Sequence, residues 1–279
     1  MRLLKQDRVD QYVIIGELSL DGTINKVNGV LPTAIYAKNN AKNLICPKAN
    51  ANEACYVGQE IDIIAPENLM QLINHLKGSV LIDRSVLQRV DDKDNELYPD
   101  FIDIRGQSQA KRAIEIAAAG GHNMLMVGPP GSGKSMLSSR IPSIIPNLTN
   151  KKLQDVFMIA SITGNLQEDN ISNVAPFRSP HHSCSMAAMV GGGKNAMPGE
   201  ITLAHNGILF LDELPEFPRN VLESLRQPIE TGLVTVARAQ AHVTYPADFQ
   251  LITAMNPCKC GYFGDTRREC GRAPNCAKN

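Results

Sequence analysis

The chain has 279 residues, 43% of them apolar, with Lys plus Arg and Asp plus Glu balanced at 28 each. That length exceeds the roughly 100 to 200 residues of one ordinary domain, so two domains are expected. No apolar run reaches the roughly 18 residues of a membrane span, and no basic-then-apolar leader opens the chain, so no membrane partner and a cytoplasmic location are expected; with no net charge, any nucleic-acid partner needs a local basic surface.

Residues 1–78 alternate short β-like runs ("QYVIIGELSL", "NLICP", "EIDIIA") with helical stretches ("LPTAIYAKNNA", "ENLMQLINHLKG"), the pattern of a small α/β unit ending at Gly78. Residues 79–100 turn charged and polar and read as a linker. From Phe101 the pattern changes again. "GQSQAKRAIEIAAAGG" predicts a helix closed by Gly120 and Gly121, and "HNMLMVG" predicts a buried strand.

Directly after that strand comes "GPPGSGKS", residues 128–135, which fits G-x-x-x-x-G-K-[ST] and precedes the helical run "SMLSSRI". Gly128, Pro129, Pro130, Gly131, Ser132 and Gly133 form a loop whose main-chain N–H groups are free to point inward at phosphate oxygens, with a helix amino-terminus behind them. Lys134 is expected to reach the β- and γ-phosphates, and the Ser135 hydroxyl to ligate Mg2+. The chemistry implied is the binding of ATP with Mg2+.

Two further strands complete the set. "GILFLDE" ends in Asp212 and Glu213, and in an α/β sheet the carboxyl ends of strands face the ligand. Asp212 is expected to hold the magnesium's water shell, and Glu213 to polarise an attacking water as general base. "FQLITAMN" ends in Asn256, which either orients the water or senses the γ-phosphate, or simply caps the strand before Pro257. The fold class expected for 101–279 is an α/β P-loop NTPase: a parallel sheet with flanking helices.

Together, "GPPGSGKS", "FRSPHHS", "GGGKNAMPGEITLAHNGILFLDELPEF", "LRQPIETG" and "AMNPCKCGYFGD" resemble the magnesium-chelatase-like AAA+ ATPases of the ComM/YifB type across 101–279. The resemblance implies that Gly128–Ser135 is Walker A, that Asp212 and Glu213 are Walker B, and that Asn256 is sensor 1. It also implies that Ile104, Gly106 and Gln107 line an adenine pocket. Residues 177–206, with His181, His182, Lys194 and His205, match a segment that such proteins insert toward the pore of a hexameric homo-oligomeric ring, and histidine spacing there does not favour a metal. DNA is implied as a partner, in branch migration during recombination and transformation; a chelatase-type metal-insertion chaperone and an inactive nucleotide-binding fragment stand as alternatives.

The first 78 residues resemble the second half of a Lon-protease-like (ribosomal S5 domain 2-like) unit. The lysine expected shortly after Gly29 is replaced by "VLPT" and no serine-bearing half precedes it, so proteolysis is disfavoured. The resemblance also places a preceding segment, an arginine finger and a helical lid outside these 279 residues. A trans-acting arginine is worth about 10³ to 10⁵ in turnover, so nucleotide binding with weak or no turnover is expected of this chain alone.

Seven cysteines do not suit a disulfide framework. Cys46, Cys55 and Cys184 are isolated, whereas Cys258, Cys260, Cys270 and Cys276 crowd the carboxy-terminus. Four thiolates suit a structural Zn2+ that clips a loop too polar to fold on its own, although the spacing is looser than paired C-x₂₋₄-C; a redox-active or unpaired set is the alternative.

Overall fold

The computed structural model describes residues 6–87, 98–166, 172–193, 196–238, 241–264, 268, 270–271 and 275–277. The chain divides into two units, Met1–Asp92 with Leu153–Ser172, and Lys93–Lys152 with Asn173–Asn279.

The first unit carries three parallel strands, β1 (Tyr12–Ile14), β2 (Asn43–Ile45) and β3 (Ile63–Ile64), in that spatial order. Helix α1 (Val30–Asn39) buries Val30, Leu31, Ala34 and Ala37, the spacing of one helical face, against Leu44, Ala54 and Ile63. Helix α2 (Ala51–Cys55) follows β2, and α3 (Leu69–Lys77) begins at Asn68, whose side chain accepts from the Gln71 N–H at 3.0 Å. The orphan amides at the start of α1 are answered from far along the chain. Leu31 N–H is shared between Glu53 Oε1 (3.2 Å) and Ser161 Oγ (3.3 Å), and Ser161 donates to Glu53 at 2.5 Å. The fully buried Asn50 donates to Glu53 Oε2 at 2.7 Å and exchanges two further bonds with the Val27 main chain. An acid at a helix amino-terminus is also favoured by the helix dipole.

Ser161 lies on the helix Asn150–Thr163, which also inserts Phe157 into the apolar cluster around Leu31. All of 101–279 was expected to form one nucleotide-binding domain; the structure instead gives Leu153–Ser172 to the first unit. The physical reason is Phe157 and Ser161, which find their apolar and polar partners there.

In the second unit, helix α4 (Ser108–Gly120) leads to β4 (Met124–Val127), and the short helix α5 (Lys134–Ser138) follows the glycine loop. Strands β5 (Phe177–Arg178), β6 (Ile208–Leu211) and β7 (Gln250–Met255) join β4 in a parallel sheet ordered β4-β7-β6-β5. All four residues of β6 are buried, each worth about 1.5–3 kcal/mol relative to exposure. Gln250 fixes the start of β7 by donating to the carbonyls of Ala117 (2.9 Å) and His122 (2.7 Å). β4 was expected to be a buried strand, but it is an edge strand, and Leu125 and Val127 are 51% and 55% exposed. A hydrophobic run alone does not distinguish a covered face from an open one.

Candidate functional site

The carboxyl ends of β4, β6 and β7 converge because the three strands are parallel neighbours. Beyond them lies a cleft of about 380 Å³ lined by Pro130–Met136, Asp212, Glu213, Met255 and Asn256. The loop leaving β4 turns back through Gly131 and Gly133, at φ +75° and +87°, a region that a side chain strains to enter. That turn sets Lys134 at the start of α5.

Lys134 Nζ points inward. It donates to the carbonyls of Gly128 (2.9 Å) and Pro129 (3.1 Å) and to Asn256 Oδ1 (3.2 Å). Ser135 donates its hydroxyl to Asp212 Oδ2, and the Glu213 N–H donates to Asp212 Oδ1 at 2.9 Å. The Ser132 hydroxyl is buried with no hydrogen-bond partner among the described residues. Such a group is costly unless something supplies the missing bond, and a phosphate oxygen has the chemistry to do so. A lysine turned onto carbonyls, a serine on an aspartate and an orphaned hydroxyl, all on one glycine loop, form a set that suits a polyphosphate and a hard divalent cation. Ser135 and Asp212 supply the oxygen donors such a cation takes.

Glu213 adopts φ +53° and its Oε2 lies 3.2 Å from His182 Nδ1. The rings of His181 and His182 lie 4.0 Å apart, and His181 Nδ1 pairs with Ser183 Oγ at 2.8 Å. Sequence reasoning placed both histidines in the inserted segment without a partner at Glu213. That segment has a second tie which was not foreseen: Arg178 Nε and Nη2 each donate to Glu200 at 2.7 Å. This bidentate pairing with Glu200 raises the arginine's pKa further. His205 is buried, and its Nδ1 accepts from the Asp248 N–H at 3.0 Å. Lys194 lies outside the described residues.

Of the residues assigned to a base pocket, Ile104 is buried against Ile114 and Leu137, and Gln107 donates to the Ser132 carbonyl at 3.1 Å. The sulfurs of Cys258, Cys260, Cys270 and Cys276 all lie within 4.8 Å of one another, so the structure brings together the four thiols marked as a set, compatible with a metal. Cys46 and Cys55 are buried in the first unit, and burial pushes the Cys46 thiol up to about 12, with Cys55 and Glu53 adding to the effect. No described helix is long and apolar enough to cross a membrane.

The family model "Magnesium chelatase, subunit ChlI" matches residues 100–279, and a second, "Subunit ChlI of Mg-chelatase", matches residues 2–50. YifB of Escherichia coli (strain K12) is 42% identical over 267 residues, covering 96% of this chain and 52% of the relative. The competence protein ComM of Haemophilus influenzae (strain ATCC 51907 / DSM 11121 / KW20 / Rd) is 42% identical over 266 residues, covering 94% and 52%. The magnesium-chelatase 67 kDa subunit of Chlorobaculum parvum (strain DSM 263 / NCIMB 8327) is 26% identical over 161 residues, covering 56% and 23%. The chain spans about half the length of the YifB and ComM relatives it matches.

Proposed function

The chain belongs to the magnesium chelatase ChlI family and is of the ComM/YifB type, and from that premise we propose that it is the ATP-binding core of a ring-forming AAA+ motor acting on DNA. The observation that carries the reading is the inward-turned Lys134, on a glycine loop whose next residue, Ser135, bonds Asp212 on a neighbouring strand.

Each residue then has a task. Main-chain amides of Gly131–Ser135 hold phosphate oxygens, and Lys134 exchanges its carbonyl partners for the β- and γ-phosphates. Ser135 and Asp212 hold Mg2+, which when bound neutralises charge on the phosphates. Glu213 accepts the proton of the attacking water, and His182, 3.2 Å away, fixes where that carboxylate sits. Asn256, on the lysine through its Oδ1, reports phosphate occupancy to β7. The first unit is read as the second half of a Lon-like module in which "VLPT" stands after Gly29, where a catalytic lysine is expected.

DNA branch migration during transformation and a hexameric ring are inferred from the ComM-type resemblance. The identity of 42% over nearly the whole chain, against 26% over 56% to the chelatase subunit, favours this reading over a metal-insertion chaperone. The test is magnesium-dependent ATP hydrolysis, expected to be weak in this chain alone for want of a trans-acting arginine, measured with and without branched duplex DNA and using Glu213→Gln as the control. Stimulation by branched DNA that is lost in the variant supports the reading. Hydrolysis indifferent to DNA, or unaffected by Glu213→Gln, overturns it.

A further inference from the structure

Among its described residues, the carboxy-terminal turn has no apolar core of its own. Cys270 is buried but belongs to none of the hydrophobic clusters, and Phe263 is 40% exposed. What converges there is sulfur. Cys260 Sγ lies 3.2 Å from Cys258 Sγ, 3.3 Å from Cys270 Sγ and 3.8 Å from Cys276 Sγ. Four sulfurs arranged tetrahedrally at about 2.3 Å from one zinc ion are about 3.8 Å apart; the three separations from Cys260 run from somewhat below that value up to it, and all four sulfurs lie within 4.8 Å of one another. A disulfide accounts for only two thiols and needs about 2.05 Å between sulfurs.

The position of the turn matters as much as its chemistry. Cys258 stands two residues beyond Asn256, and Cys258 and Cys276 line a cleft of about 500 Å³ shared with His182, Glu213 and Asn256. Gly261, at φ +84°, lies so close to the phosphate loop that a Cβ there would fall 2.5 Å from Pro130 Cδ and 2.7 Å from its Cγ. The turn is thus anchored to the end of β7 through Cys258 and rests on the loop that carries Lys134.

We propose that Cys258, Cys260, Cys270 and Cys276 hold one Zn2+, and that this ion keeps the Gly261 turn pressed on Pro130 so that the phosphate loop is pre-shaped for nucleotide. The second half of the proposal rests on the ATP-binding reading; the zinc site does not. Binding the ion releases the thiol protons to solvent and leaves the sulfurs reduced, so no oxidant or reductant is required.

The experiment purifies the full chain under reducing conditions and measures zinc and iron by elemental analysis, beside binding of a fluorescent ATP analogue. The expected result is about one zinc per chain, falling at least fivefold in Cys270→Ser and in Cys276→Ser. Lys134→Ala is expected to keep its zinc while losing nucleotide, which separates failure of the metal site from failure of the ATP site. Gly261→Ala is expected to keep zinc and bind nucleotide about tenfold more weakly, near 1.4 kcal/mol. Less than half an equivalent of zinc, iron in its place, or disulfides among the four overturns the site. Full zinc with unchanged nucleotide affinity in Gly261→Ala overturns the clip.

Discussion

The polar cluster of the first unit and that of the second are built from similar side chains and differ in how completely they satisfy one another. Around α1, Asn50, Glu53 and Ser161 close on each other and on the amides of Val27 and Leu31, leaving the fully buried Asn50 satisfied from both ends. Around α5, Lys134 rests on two carbonyls and an amide oxygen, Ser135 leans on Asp212, and Ser132 has no partner among the described residues. A closed network stabilises a fold, whereas one with an orphaned hydroxyl and an inward lysine is ready to exchange partners with a ligand. Counting polar residues does not separate the two; following each donor to its acceptor does.

The sharpest way to break this comparison is Glu53→Ala. The variant strips Asn50 Nδ2, Ser161 and the Leu31 N–H of a shared acceptor, and is expected to cost about 2–3 kcal/mol in urea unfolding while leaving nucleotide affinity unchanged. Equal damage to both measurements would show that the first cluster also serves the ligand site. Next in size is Asp212→Asn, which keeps the shape but removes the charge opposite Ser135. It is expected to abolish the gain in ATP affinity that magnesium gives, roughly tenfold, with less than about 0.5 kcal/mol lost in stability, as expected away from a closed network. An undiminished magnesium effect would assign the cation to other ligands.

The smallest effect concerns His75, buried near the end of α3. Its Nδ1 accepts from the Ile82 N–H at 3.1 Å and its Nε2 pairs with Tyr12 Oη at 3.4 Å. Burial first, and then the Arg8 charge, hold its pKa below the ordinary 6.5. The folded unit therefore favours the neutral ring, and the unfolded chain takes up the proton first as pH falls. The stabilising contribution is complete above pH 6.5 and is lost as pH drops through the folded value. Melting temperature is expected to decline over that acid range, and His75→Asn, which keeps an acceptor for Ile82, is expected to flatten the slope. A slope unchanged by the substitution would place the titrating group elsewhere.

The parts of the site legible in the sequence are those encoded locally. The glycine spacing of 128–135 dictates the backbone turn that the structure shows at Gly131 and Gly133, and the apolar run before Asp212 marks a covered central strand. The convergence of four cysteines was also legible, because thiols are rare enough for their crowding to stand out. What was hidden depends on partners far apart in sequence. Nothing near Ser161 announces that it will meet Gly29, Leu31 and Glu53, so the migration of Leu153–Ser172 into the first unit was missed. The Arg178 bond to Glu200 and the His182 contact with Glu213 escaped for the same reason. The exposure of Leu125 and Val127 was missed because a four-residue run carries no information on which side of it is covered.

Titration calorimetry of ATP with magnesium into the full chain, beside Lys134→Ala, bears most directly on the central claim. One binding event per chain in the wild type, weakened at least a hundredfold or lost in the variant, is the predicted result, about 2.7 kcal/mol or more. Binding of equal strength in both proteins would contradict the assignment of the glycine loop as the phosphate cradle.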